Sequence, residues 1–256
     1  MENLRELDAG VTGRMAAPKM DTTKRGNLLR IGLIIGLVLL AVVAVGAAYI
    51  WLSGGTGQPS SPTTAPALIL QPGDTRALFR VVPEESEARF IIEETLLGNP
   101  KTVVGATQQL AGEMLVDISN LSSAQIGGIR VNVNTLTTDN EFRNRAIRSQ
   151  ILQSTRPEYE FAEFIVQRSV GLPENAGGGD TLTFEIEGDL RLRDVTHLLI
   201  FDTTVQIAAV DRIVGHAQAQ LERADFGLTI PEAPGVANVS ETVIVEIDFV
   251  AEVASG

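Results

Sequence analysis

The chain has no cysteine, two histidines and one tryptophan in 256 residues. Without cysteine there is no disulfide, no thiolate nucleophile and no sulfur-bound metal, so whatever folds here rests on its core alone. His197 and His216 are too few for a three-histidine metal site, and no HExxH spacing occurs. No G-x-S-x-G elbow marks a serine nucleophile, and no lysine follows Gly177-Gly178-Gly179 to complete a phosphate loop. Both histidines read as ordinary turn or strand side chains. The expectation is a protein with no catalytic residues, no metal and no built-in cofactor.

Positive charge is also scarce, with 20 Lys and Arg against 32 Asp and Glu, a net charge of −12. The shortage is uneven: residues 1–30 hold six basic and four acidic side chains, which leaves −14 on the remainder. An acidic body repels phosphate over about 10 Å at 0.1 M salt, which argues against nucleic acid as a partner. The densest acids, Glu84, Glu85, Glu87, Glu93 and Glu94, lack the ordered spacing of a calcium loop and read as a solvated face.

One long apolar run is present. Ile31 to Leu52 carries no charge, and at about 1.5 Å per residue it makes roughly 33 Å of helix, the thickness of a bilayer core. We therefore expect a single transmembrane helix over residues 30–52. Lys19, Lys24, Arg25 and Arg30 precede it and no Lys or Arg follows until Arg76. The positive-inside rule then puts a tail of residues 1–29 in the cytoplasm and the rest outside the cell membrane, with Tyr49 and Trp51 at the outer interface. The run is longer than the core of a cleaved signal peptide, and its lack of a polar face excludes a half-buried core helix. Residues 53–76, rich in Gly, Ser, Thr and Pro, read as a flexible to semi-extended stalk, and 77–254 as one domain.

In that domain Thr181–Arg193 alternates apolar and polar residues, with Leu182, Phe184, Ile186, Leu190 and Leu192 on one face and only Gly188 interrupting them. Period two marks a strand wet on one side and buried on the other. Met114/Val116/Ile118 and Val243/Val245/Ile247/Phe249 repeat the pattern, and further strands are expected at 79–82, 88–93, 129–134, 161–169, 198–208 and 213–221. Eight or nine antiparallel strands imply an all-β barrel or sandwich. One helix interrupts them: Thr138 to Glu141 fits a capping box, with Thr138 as the cap, before Phe142, Ala146 and Ile147, and Arg156-Pro157 ends it. Arg143, Arg145 and Arg148 lie on that helix, free to meet a ligand's polar group or the domain's own carboxylates.

Three stretches in order carry a family resemblance. Arg143-Asn144-Arg145-Ala146-Ile147-Arg148-Ser149 with Arg156-Pro157, then Glu187-Gly188-Asp189-Leu190-Arg191-Leu192-Arg193-Asp194-Val195-Thr196, then Leu221-Glu222-Arg223-Ala224-Asp225-Phe226-Gly227-Leu228, are similar to motifs of the YceI-like family. The histidines usual in that family near Glu93 or Glu94 and at Ala146 are missing, so no role passes to those positions. The resemblance implies an extended eight-stranded lipocalin-like barrel with one inserted helix. Such a barrel binds an isoprenoid, isoprenoid quinone or related lipid and performs no catalysis. Lining by Leu182, Phe184, Ile186, Phe201 and Phe226 follows from it, with Phe142 and Ile147 on a helical lid and Arg143 and Arg148 facing the ligand's polar end. The competing expectation is a stalked protein-interaction domain with a solid core, because small barrels are commonly filled by their own side chains.

Overall fold

The computed structural model describes residues 22–254. Residues 1–21 of the expected tail lie outside them, and 22–29 form the first turns of α1, Thr22–Ser53. Gly32–Ser53 of this helix is 22 residues long with a mean hydropathy of 2.8, long and apolar enough to cross a membrane. Residues from Ala47 onward form a compact unit of their own.

Strands of that unit are β1 (Ala77–Val81), β2 (Glu87–Leu96), β3 (Asn99–Thr107), β4 (Leu110–Ala111), β5 (Glu113–Val116), β6 (Gln125–Ile126) and β7 (Ile129–Asn132), followed after an inserted helix by β8 (Phe161–Val170), β9 (Thr181–Leu192), β10 (Val195–Ala209), β11 (Arg212–Glu222), β12 (Val236–Ala237) and β13 (Thr242–Val253). These segments are more numerous than the strands expected because several staves are broken: by Pro83–Glu85 between β1 and β2, by Gly112 between β4 and β5, and by Gly127-Gly128 between β6 and β7. Joined across the breaks, β1–β2, β3–β5, β6–β7, β8, β9, β10, β11 and β13 pair antiparallel in sequence order. The ring closes where β13 bonds β2 with Ile244–Asp248 and β1 with Ala251–Val253. Closure covers most of the strand edges, the usual liability of β proteins, although β3 pairs only with β2 and meets the chain on its other side at the single bridge Ala106 to Thr137.

β3 has no counterpart among the expected strands. Its inward positions hold Val103, Gly105 and Thr107, so period two survives in burial while the hydrophobic signal does not. Gly105 faces Phe90 across the ladder, Gly215 faces Phe249, and Gly188 lies under Phe164. In each case an aromatic ring fills the space a side chain would take.

The inserted helix α2, Glu141–Ala146, is capped by Asn140 rather than Thr138: Asn140 Oδ1 accepts from Arg143 N at 3.0 Å. Thr138 is engaged elsewhere, its hydroxyl donating to Asn144 Oδ1 at 2.7 Å. One wider π turn, Ile147–Ile151, continues α2 before the chain turns at Pro157–Tyr159. Ile147 and Leu152 pack with Val133, Leu136, Phe226 and Leu228 into a core that closes this end of the barrel.

Residues 54–76 are irregular, as their composition dictates, yet they are strapped to the barrel rather than free. Arg148 Nε donates to Gly54 O at 2.6 Å, and Arg145 donates to Trp51 O at 2.6 Å with its guanidinium 3.9 Å over the Trp51 ring. Cations thus meet the last carbonyls of a helix, where its dipole favours them. A Cβ on Gly54 would lie 2.6 Å from Arg145 Cα, and one on Gly57 2.8 Å from the Arg148 guanidinium, so glycine permits the close approach.

Further along, Ser60 N and Oγ both donate to the carboxylate of Glu160, a residue only 3% exposed, which also accepts from Asn132 Nδ2 at 2.8 Å. Burial alone would push the Glu160 carboxyl up. The bonds from Ser60 and Asn132, with the nearby Arg130 charge, outweigh it and hold the group below the ordinary glutamate range. A lowered native pKa means a contribution present in full above about pH 4.5 and lost as pH falls through the native value. Glu160→Gln should therefore cost about 1–3 kcal/mol at neutral pH, and acid titration of the melting temperature should show a smaller drop than in the parent.

Candidate functional site

The inward faces of the strands build the site. β9 contributes Leu182, Phe184 and Ile186, β10 contributes Phe201, Thr203, Val205 and Ile207, and β13 contributes Ile247 and Phe249. Space arises because β11 carries small residues inward, Gly215, Ala217 and Ala219, between Ile213 and Leu221. A cavity of about 100 Å³ remains between the α2-end core and a second cluster around Phe79, Met114 and Ile213. Phe164 and Phe201, edge to face with centroids 5.0 Å apart, line it. Its rim, at the barrel end away from α2, consists of Leu121, Ala124 and Leu172.

Every lining residue but one is apolar. Thr203 is the exception, and its hydroxyl donates to Phe201 O at 3.3 Å. No titratable group faces the space, so the cavity can exclude water and hold hydrocarbon but offers neither acid, base nor nucleophile. Among the described residues no three His, Asp or Glu side chains converge as a metal site. His216 Nδ1 pairs with Asp248 at 2.7 Å on the outer face, and His197 stands edge-on to Phe226 at 5.2 Å. Within the acidic patch Glu85 pairs with Arg212 and Glu94 with Arg143, while Glu93 accepts from the Thr102 hydroxyl.

Of the residues expected at the site, Leu182, Phe184, Ile186 and Phe201 come together around the cavity. Ile147 and Phe226 sit in the packed core of the opposite end, and Phe142 is 38% exposed on α2. Arg143 is held by Glu94 and Asp139, Arg148 by Gly54 O and Glu141, and neither lines the cavity. Phe249 lies on a strand whose alternation points it inward and Ile213 on an expected strand, whereas Leu121, Ala124 and Leu172 belong to connections that carry no periodic signal.

A wider groove of about 570 Å³ lies under residues 223–241. Its one cation, Arg223, is engaged at all three nitrogens: Nε donates to Ser240 O at 2.7 Å, Nη1 to Leu228 O at 3.2 Å and Nη2 to Glu241 at 2.7 Å. Arg223 thus fixes the long connection between β11 and β13 instead of waiting for a ligand. Arg223→Met should cost about 2 kcal/mol by leaving buried carbonyls unpaired, measured by urea denaturation.

Comparison with known proteins adds the following. A family model described as a YceI-like domain matches residues 79–251. No curated protein matches. Among solved structures, a polyisoprenoid binding domain from Saccharophagus degradans superposes with a TM-score of 0.52 at 16% identity, covering 69% of this chain and 98% of that one. BcnA from Burkholderia cenocepacia superposes with a TM-score of 0.51 at 14% identity, covering 66% and 98%.

Proposed function

Because this chain belongs to the YceI-like domain family, we propose that its barrel holds the apolar chain of an isoprenoid, isoprenoid quinone or related lipid, and that the N-terminal helix anchors it in the cell membrane with the barrel on the extracytoplasmic side. The observation that carries the reading is a closed ring of strands around a cavity whose lining has one hydroxyl and no charge. Burial supplies the affinity: each methylene removed from water contributes about 0.8 kcal/mol, so a long chain binds without polar help. The absence of charged groups at the lining also sets the direction of entry, hydrocarbon first with any polar head left at the rim. What the S. degradans domain is described as binding has this chemistry. For the anchor, support comes from the 22-residue apolar stretch and the basic residues that precede it.

The test is to purify the full chain from a lipid-containing host and analyse a denaturing organic extract by mass spectrometry. A stoichiometric isoprenoid or quinone supports the reading. If none co-purifies and added polyisoprenol leaves the melting temperature unchanged, the carrier role falls and a protein-interaction domain takes its place. Topology is checked separately, since the chain has no cysteine: Val210→Cys in intact cells should react with a membrane-impermeant maleimide, and Ala9→Cys should not.

A further inference from the structure

The cavity as it stands, about 100 Å³, is well under the roughly 300 Å³ at which pockets for drug-sized ligands begin. One loop contributes to its wall. Between β8 and β9, residues 171–180 fold over the rim, placing Leu172 against the cavity and Ala176 on the cluster of Phe79, Met114 and Ile213. Beside that packing, four backbone hydrogen bonds hold the loop to the barrel: Leu121 N to Glu174 O at 2.6 Å, Ala176 N to Ile118 O at 3.2 Å, Gly179 N to Ile207 O at 2.8 Å and Ile207 N to Asp180 O at 3.1 Å. The carboxylate of Asp180 is turned back into the loop, accepting from Gly177 N at 2.7 Å.

Both ends of the loop are built to pivot. Gly171 has φ +80° and Gly179 φ +90°, and around Gly171, Gly178 and Gly179 a Cβ would meet nothing. Glycine moves between such conformations and extended ones without the steric barrier other residues face. The opposite side of the rim, which supplies Leu121 and Ala124, is a single 3-10 turn, Leu121–Ser123, and its cap rather than ladder.

We propose that residues 171–180 are the gate of the cavity, hinged at Gly171 and at Gly177–Gly179, with Leu172 as its stopper. This rests on the lipid reading above and adds how the ligand gets in. Opening breaks a few backbone bonds at a wet rim and withdraws two apolar side chains. An entering isoprenoid chain then puts its own branched hydrocarbon where the Leu172 side chain was, so the closed state and the loaded state bury similar surfaces.

The experiment uses the full chain in lipid nanodiscs and follows uptake of dansyl-labelled farnesol by stopped flow, with the empty-nanodisc record subtracted. Ile118→Cys with Ala176→Cys puts two thiols at residues joined by a backbone bond, in a chain where no other disulfide is available. Reduced, this variant should take up the probe like the parent; oxidised, it should do so about tenfold more slowly or not at all. Equal rates in the two redox states overturn the gate and leave the lipid reading standing. Should the cysteine pair disturb the rim even when reduced, Leu172→Ala decides: uptake about fivefold faster supports the gate, and an unchanged rate overturns it. Absence of uptake by the parent and by Leu172→Ala alike removes the lipid reading, and the gate with it.

Discussion

Gly188→Val should be among the most destabilising single substitutions in the barrel, costing about 4 kcal/mol or more and lowering the melting temperature by roughly 8–16 °C for a domain of this size. Gly188 stands inward in β9, paired with Val166 and Leu199. A Cβ there would lie 2.5 Å from Ile165 O and 2.6 Å from the Phe164 ring. The ring can turn, but the carbonyl cannot, because it belongs to a strand whose register already slips between Val166 and Arg168. Gly105 and Gly215 provide the internal comparison. A Cβ at either meets only an aromatic side chain, Phe90 or Phe249, which can rotate at an overpacking cost of about 1–3 kcal/mol. Thermal denaturation of the three valine variants should therefore rank Gly188 clearly worst. Equal losses at all three would mean that the backbone carbonyl is not the obstacle.

That glycine also shows how much of the molecule could be read without coordinates. The alternation of Thr181–Arg193 marks the strand, its inward face and three of the cavity residues, Leu182, Phe184 and Ile186, because a strand half in water writes its burial into every second position. The break at Gly188 was visible, but its reason, a ring arriving from β8, was not local. β3 escaped for the related reason that its inward face is made of small and polar residues. The start of α2 was legible but its cap was not: the capping box points to Thr138, whereas Asn144 takes the threonine hydroxyl and Asn140 caps the helix. Residues 53–76 have the composition of a spacer, and nothing in them announces that Gly54, Gly57 and Ser60 fit against Arg145, Arg148 and Glu160, since those partners lie about a hundred residues away. Which end of the barrel stays open was equally hidden. It depends on two loops, around Leu121 and Leu172, whose packing follows no period.

Ala217→Phe should abolish useful binding while leaving a folded barrel. Ala217 is buried on β11, lines the cavity, and has Gly215 and Ala219 as its inward neighbours, so an added ring can enter only the space that a ligand would use. Filling the void limits the stability cost to the overpacking range, about 1–3 kcal/mol. If the ring displaces about four methylenes of ligand, binding weakens by about 3 kcal/mol, near 200-fold. Phe226→Ala is the counterpart at the α2 end: Phe226 is among the most buried side chains of that core, and its truncation should cost about 3–5 kcal/mol of stability without changing the affinity of the molecules that remain folded. Titration of dansyl-farnesol, paired with thermal denaturation, separates the two. Weaker binding in Ala217→Phe alone places the ligand in the cavity. The reverse pattern, with Phe226→Ala losing affinity and Ala217→Phe keeping it, moves the ligand to the α2 end, where Phe142 and the arginines of the inserted helix would again become its neighbours.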